Sequence, residues 1–163
     1  MLVKQLSNGS IEVNLWWRST SFRVSMYLCR NQSRSLEAEV NYRRITPDKP
    51  IAIIPVNTVN SILELLQGAV HYKLYSHRIR RVKNKGLVLA LLCTGEKQLE
   101  RLISTLETAI SAGLDYYAVA VDTELENRES CFPLGLEQRK FGELNSNDLS
   151  KLVKNVEALF ALL

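Results

Sequence analysis

Leu87-Val88-Leu89-Ala90-Leu91-Leu92-Cys93 is the longest unbroken apolar run of the chain. A short continuous run of this kind, bounded by polar residues, fits a strand covered on both faces. It ends at Thr94-Gly95, which reads as a polar cap leading into a helix. That helix carries Leu99, Leu102, Ile103, Leu106 and Ile110 on one face and stops at Gly113, a residue suited to a left-handed end. On this reading Leu87–Cys93 is the central strand of a sheet, and the rest of the fold is arranged around it.

Working outward, Ile11–Trp17 alternates apolar and polar residues, and Phe22–Arg30 alternates more regularly. Both predict half-buried strands. Phe22, Val24, Met26 and Leu28 then face one way, and Arg23, Ser25, Tyr27 and Cys29 the other. Leu36–Arg44 reads as a third strand, closed by the turn Thr46-Pro47-Asp48-Lys49-Pro50, and Ile51–Ile54 as a short apolar one. Pro55 opens a helix in which Val59, Ile62, Leu63, Leu66, Ala69 and Val70 recur at helical spacing. Leu114–Val121 is a later strand, and Leu149, Leu152, Val153, Val156, Leu159, Phe160 and Leu163 mark an amphipathic terminal helix.

The expected class is therefore α/β (α+β): a single domain with a mixed or antiparallel sheet flanked by amphipathic helices and ending in a helix. Residues 1–54 form its β-rich basic part, 55–122 a helix-strand-helix-strand unit and 146–163 the terminal helix. A chain of 163 residues with 46% hydrophobic and 23% charged residues has the make-up of an ordinary globular domain.

Charge is distributed unevenly. Residues 1–95 hold 14 cations and 5 acids, about +9, and residues 96–163 hold 7 and 12, about −5, which sum to the net +4. The densest stretch, His71–Lys85, carries Lys73, Arg78, Arg80, Arg81, Lys83 and Lys85 with His71 and His77 and no acid. Such a row is a solvated face or a landing place for an anion. Tyr72 and Tyr75 add a possible stacking surface, and rings beside cations suit single-stranded nucleic acid. The opposite reading keeps both rings on the core side.

Other chemistry is thinly represented. The sequence has no glycine-rich phosphate loop, and the spacing of His71 and His77 suits zinc poorly. Asp122, Glu124 and Glu126 would share one strand face if that strand continued and could then hold a divalent cation, although a solvated acidic edge is the simpler reading. A phosphate could rest on the amides of a helix starting at Thr94-Gly95, although a plain helix cap is the simpler reading. No catalytic residue, metal or cofactor is expected. Cys29, Cys93 and Cys131 are far apart and odd in number, which favours buried thiols in a reducing compartment. The opening MLVKQLSNGS holds no apolar leader core and the run at Leu87 is too short for a bilayer helix, so a cytoplasmic protein without membrane contact is expected.

Three stretches, Gln67-Gly-Ala-Val-His-Tyr-Lys-Leu, Leu91-Leu-Cys-Thr-Gly-Glu-Lys-Gln-Leu and Lys140-Phe-Gly-Glu-Leu followed by Asn147–Leu162, resemble in their order the small kinase-binding subunit of the KEOPS complex, the TPRKB family. The likeness covers roughly residues 50–163, and the N-terminal strands share with the family only their β-rich character. This chain departs from the archaeal-type pattern in lacking a glutamate within Val88-Leu89-Ala90 and in keeping only Gly142 before the last helix. The resemblance implies a non-catalytic accessory subunit. It would bind the complex's small kinase-like ATPase and recruit tRNA through its single-stranded 3′ end for threonylcarbamoylation of an adenosine. Its tRNA side would comprise Lys73, Tyr75, His77, Arg78, Arg80, Arg81, Lys83, Lys85, Lys97 and Gln98, and its kinase side Leu152, Val156, Leu159 and Phe160. Two other readings stay open: a free-standing single-strand nucleic-acid binder, and a small enzyme holding a phosphorylated ligand at Thr94-Gly95.

Overall fold

In a computed structural model of the chain, which describes residues 2–6, 8–15, 18–135 and 156–163, six strands form one antiparallel sheet. The strands are β1 (Leu2–Gln5), β2 (Ile11–Leu15), β3 (Thr20–Cys29), β4 (Ile51–Pro55), β5 (Tyr116–Val121) and β6 (Cys131–Pro133). The path through the sheet is β1-β2-β3-β5-β4. β2 pairs with the first half of β3, Val24 lying opposite Ile11, while β5 takes the other edge, with Val24 opposite Val121. Where β2 stops, β6 continues along its edge, pairing Leu28 with Phe132 and Cys29 with Cys131. The helices are α1 (Leu36–Tyr42), α2 (Ile62–Tyr75), α3 (Lys85–Thr94), α4 (Leu99–Ser111) and α5 over residues 156–162.

The run Leu87–Cys93 is not the central strand expected from its composition but the body of α3. A seven-residue apolar run carries no period, so its neighbours decide. Asn84 caps the start, its side chain accepting from the Leu87 amide at 3.1 Å, and Gly95 closes the end at φ 77°, a conformation open to glycine. A helix that is apolar all round must be covered all round. α3 lies against α2 and β4, with Leu89, Leu91, Leu92 and Cys93 fully buried. The unit 55–122 is accordingly three helices and a strand. Pro55 ends β4 rather than opening a helix; α2 begins at Ile62 behind the Ser61 cap. β4 is the last strand on its side of the sheet path, where a residue without an N–H is tolerated.

Leu36–Arg44 is likewise helical over most of its length rather than a strand. Ser35 caps it, its hydroxyl accepting from the Ala38 amide at 3.3 Å. Glu39 and Arg43 are one helical turn apart, point inward and are both fully buried.

Side chains alternate across the sheet, giving two apolar layers. Phe22, Val24, Met26, Ala52, Ile54, Val119 and Val121 meet α2 and α3, joined by Leu159 and Leu162 of α5. Tyr27, Cys29, Ile51, Ile53, Tyr116, Ala118 and Ala120 form the second layer with Ile110, Leu125 and the α1 side. β3 therefore carries arginine on its second face only near its start, at Arg23; farther along, that face is core.

Within the second layer Arg43 is caged. Its Nε donates to the Tyr116 hydroxyl at 2.8 Å, which donates to Glu39 at 3.0 Å. Its Nη1 donates to the carbonyls of Asn127, at 3.2 Å, and Glu129, and its Nη2 to that of Arg30 at 3.3 Å. Glu39 also accepts from Ser33, hydroxyl and amide, and from the Gln32 amide. A buried ion needs this degree of satisfaction to be tolerable. Cys29 and Cys131, expected as separate thiols, are joined in a disulfide beside this cage, and only Cys93 keeps its thiol. Cysteine usage therefore no longer points to a reducing compartment.

Candidate nucleic-acid interface

α2 and α3 form an antiparallel hairpin in which Gly68 sits directly against Cys93. The basic stretch is the tip of this hairpin: the last turn of α2, a 3-10 turn over Ser76–Arg78, and an extended link to the Asn84 cap. Ile79 is buried and Val82 half-buried, which ties the link to the first apolar layer and turns its remaining side chains outward. His77, Arg78, Arg80, Arg81, Lys83 and Lys85 are all exposed. Among the described residues, none of these cations forms a salt bridge. A row of like charges left unpaired in this way is an attractive surface for a polyanion.

Between the link and the helices lies a cleft of about 500 Å³, walled by His77, Arg80, Lys83 and Lys85 and floored by Tyr72, Ile79 and Val88. Tyr72 belongs to the core, and burial raises its hydroxyl pKa against the opposing bond from Ser76. Tyr75 is half-buried, with the Arg78 guanidinium 6.0 Å from its ring centre and the His71 ring edge-on at 6.4 Å. The tyrosines therefore support the tip more than they present a stacking platform.

Other expected site residues lie elsewhere. Lys73 is bound to Asp122 at 2.7 Å, which fastens α2 to the end of β5. Lys97 and Gln98 follow the far end of α3, about 15 Å from Lys85 at 1.5 Å per helical residue. There Lys97 pairs with Glu157 of α5 at 3.4 Å, and Glu96 accepts from the Lys97 and Gln98 amides at 2.8 and 3.1 Å. Thr94-Gly95 thus closes a helix instead of starting one, a position whose dipole repels anions. The amides that follow already serve Glu96.

On the expected partner face, Leu152 lies outside the described residues and Leu159 is buried in the first layer. Val156 and Phe160 are exposed, Phe160 to 72%, and Leu163 extends the same face. Asp122, Glu124 and Glu126 do not gather into a cation site: each is paired with a base, respectively Lys73, Arg128, and Lys49 with Arg44. Among the described residues no group of three metal-ligating side chains occurs, and no helix is long and apolar enough to cross a membrane.

No protein-family model matches the chain, and no curated protein is significantly similar to it.

His71, behind the tip, is almost fully buried with Nε2 at 2.7 Å from Gln67. Burial disfavours the imidazolium and lowers its pKa from the ordinary 6.5. The folded state therefore binds this proton less readily than the unfolded chain. The stabilisation is complete above the unfolded value and is lost as pH falls through the lowered folded one. The melting temperature should fall on acidification below pH ~6.5, and His71→Phe should flatten that part of the profile. A profile identical in the variant would show that other groups set the slope.

Proposed function

We propose that the chain is a non-catalytic, cytoplasmic subunit of the KEOPS assembly that draws in the single-stranded 3′ end of tRNA and docks on the complex's small kinase-like ATPase. The observation that carries this reading is the hairpin tip, where Arg80, Lys83 and Lys85 line a cleft large enough for a nucleotide and, with exposed Arg78 and Arg81, form no salt bridge among the described residues. The sequence resemblance supports the identity of the assembly. The exposed Val156 and Phe160 on α5 support a protein partner there. The cytoplasmic location follows from tRNA as the proposed ligand, not from the cysteines.

Cations that meet phosphates release counterions, so their number appears in the salt dependence of binding. Replacing Arg78, Arg80, Arg81 and Lys83 together by alanine should lower the slope of log K against log salt by about 3, at roughly 0.7 per phosphate contact on a single strand. Fluorescence anisotropy with labelled tRNA measures this, and tRNA lacking its 3′ tail should bind wild type weakly. An unchanged slope would remove the tip from the interface. Equal affinity for tailless tRNA would count against this reading, whereas quenching of tryptophan fluorescence by any oligonucleotide would favour the free-standing single-strand binder. Co-purification of a small kinase with the wild type, lost in a Val156→Ser, Phe160→Ser double variant, tests the partner side.

A further inference from the structure

We propose that the Cys29–Cys131 disulfide is a redox-responsive lock on the carbonyl cage that holds Arg43. The two cysteines face each other in the β3–β6 register, and the residues beside them build the cage. Arg30, next after Cys29, gives its carbonyl to Arg43 and its amide to Ser130 at 3.0 Å. Glu129 and Asn127, just before Cys131, give the carbonyls that receive the other arm of the guanidinium. The disulfide thus fixes the separation of the two segments between which Arg43 is gripped.

Besides the disulfide, residues 127–134 are held to β3 by the short β6 pairing, the Leu134 amide donating to the Met26 carbonyl at 2.8 Å and the Arg128 guanidinium over the Tyr27 ring. β6 has three residues, with Phe132 and Pro133 exposed. Cys131 is half-buried and within reach of a reductant, whereas Cys29 is fully covered. A dithiol would attack Cys131 Sγ and expel Cys29 as thiolate, and its second thiol would then release Cys131. Two electrons pass to the disulfide, the reductant leaves oxidised, and its two protons end on the cysteines. Cys93 takes no part, since it is buried in the α2–α3 hairpin and burial raises its thiol pKa.

Once the bond opens, Arg30 and Glu129 can separate and Arg43 loses acceptors. Glu39 shares the network, so α1 loosens with it. α1 supplies Leu36 and Val40 to the wall of an apolar cavity of about 100 Å³ whose far side is the start of α3. Reduction should therefore mobilise α1 and residues 122–134 while leaving the α2–α3 hairpin in place. This inference does not depend on the function proposed above.

The test uses the full chain, purified without reductant. Of the three cysteines, one thiol should react with an alkylating reagent after unfolding, and all three after reduction. Hydrogen exchange of the folded protein should then accelerate roughly tenfold or more in α1 and residues 122–134 on reduction, with α2 and α3 unchanged. Arg43→Met, left oxidised, should accelerate exchange in α1 and residues 122–134 beyond the general rise that its lower stability brings, and Cys131→Ser should reproduce the reduced map without reductant. Three reactive thiols in the unreduced chain would overturn the proposal, as would unchanged exchange in α1 after full reduction. Equal acceleration along the whole chain would also overturn it, because the bond would then be a general staple.

Discussion

Arg43→Met is expected to destabilise the fold by about 3–5 kcal/mol, the usual cost of leaving a buried charge without its compensating charge. Arg43 is fully buried, and its loss leaves the buried Glu39 carboxylate, to which it is linked through the Tyr116 hydroxyl, with neutral hydrogen-bond donors but no compensating positive charge. The carbonyls of Arg30, Asn127 and Glu129 lose their donor at the same time. Water cannot replace it without opening the second layer. Urea unfolding followed by far-ultraviolet circular dichroism measures the change. Replacing Glu39 and Arg43 together by Leu and Met removes both charges and should recover much of the loss. A single variant within about 1 kcal/mol of wild type would mean that the cage is not what fastens α1.

Gly68→Ala should destabilise by about 3 kcal/mol although it places a better helix former inside a helix. Propensity alone would stabilise by about 1 kcal/mol. A Cβ at this position, however, would lie 2.4 Å from Cys93 Sγ and 2.6 Å from Cys93 Cα. Neither helix yields easily in a dense core, and forced separation costs about 1–3 kcal/mol or more, to which the lost hairpin contacts add. Because the clash includes the Cys93 backbone, Cys93→Ala should not rescue the variant. A melting temperature unchanged or raised in Gly68→Ala would show that the helices are not packed at that distance. The hairpin carries the basic tip, so the tRNA binding proposed above should weaken in the same variant.

The strands Ile11–Leu15 and Phe22–Cys29 were legible because one face of each is dry over most of its length, which writes a period of two into the sequence. The same holds for the amphipathic α4, where a single face is covered. α3 escaped because it is covered on every side; with no polar face there is no period, and composition alone favours neither helix nor strand. Leu36–Arg44 misled for the opposite reason. Its inward residues are charged, and a buried Glu39 and Arg43 look like a solvent face until Tyr116, distant in sequence, is brought beside them. The disulfide was hidden in the same way, since Cys29 and Cys131 stand 102 residues apart and only the β3–β6 register joins them.

For the candidate site, the basic stretch was legible as a block of charge, but not which of its members are free. Lys73 is spent on Asp122, and Lys97 points to α5 at the other end of the hairpin. The pattern showed that Tyr72 and Tyr75 share a neighbourhood with cations but not that the helix turns Tyr72 inward. Leu159 and Phe160 are adjacent in sequence, and only the seating of α5 on the first layer separates the buried one from the exposed one.

The pairing of Asp122, Glu124 and Glu126 with Lys73, Arg128, Lys49 and Arg44 has a consequence for encounter rather than affinity. Those carboxylates already have partners close by, so at a distance their fields and those of the neighbouring bases largely cancel. The exposed cations of the hairpin tip, by contrast, have no salt-bridge partner among the described residues. The proposed polyanionic ligand would therefore be drawn toward that end while still diffusing, before any contact is made.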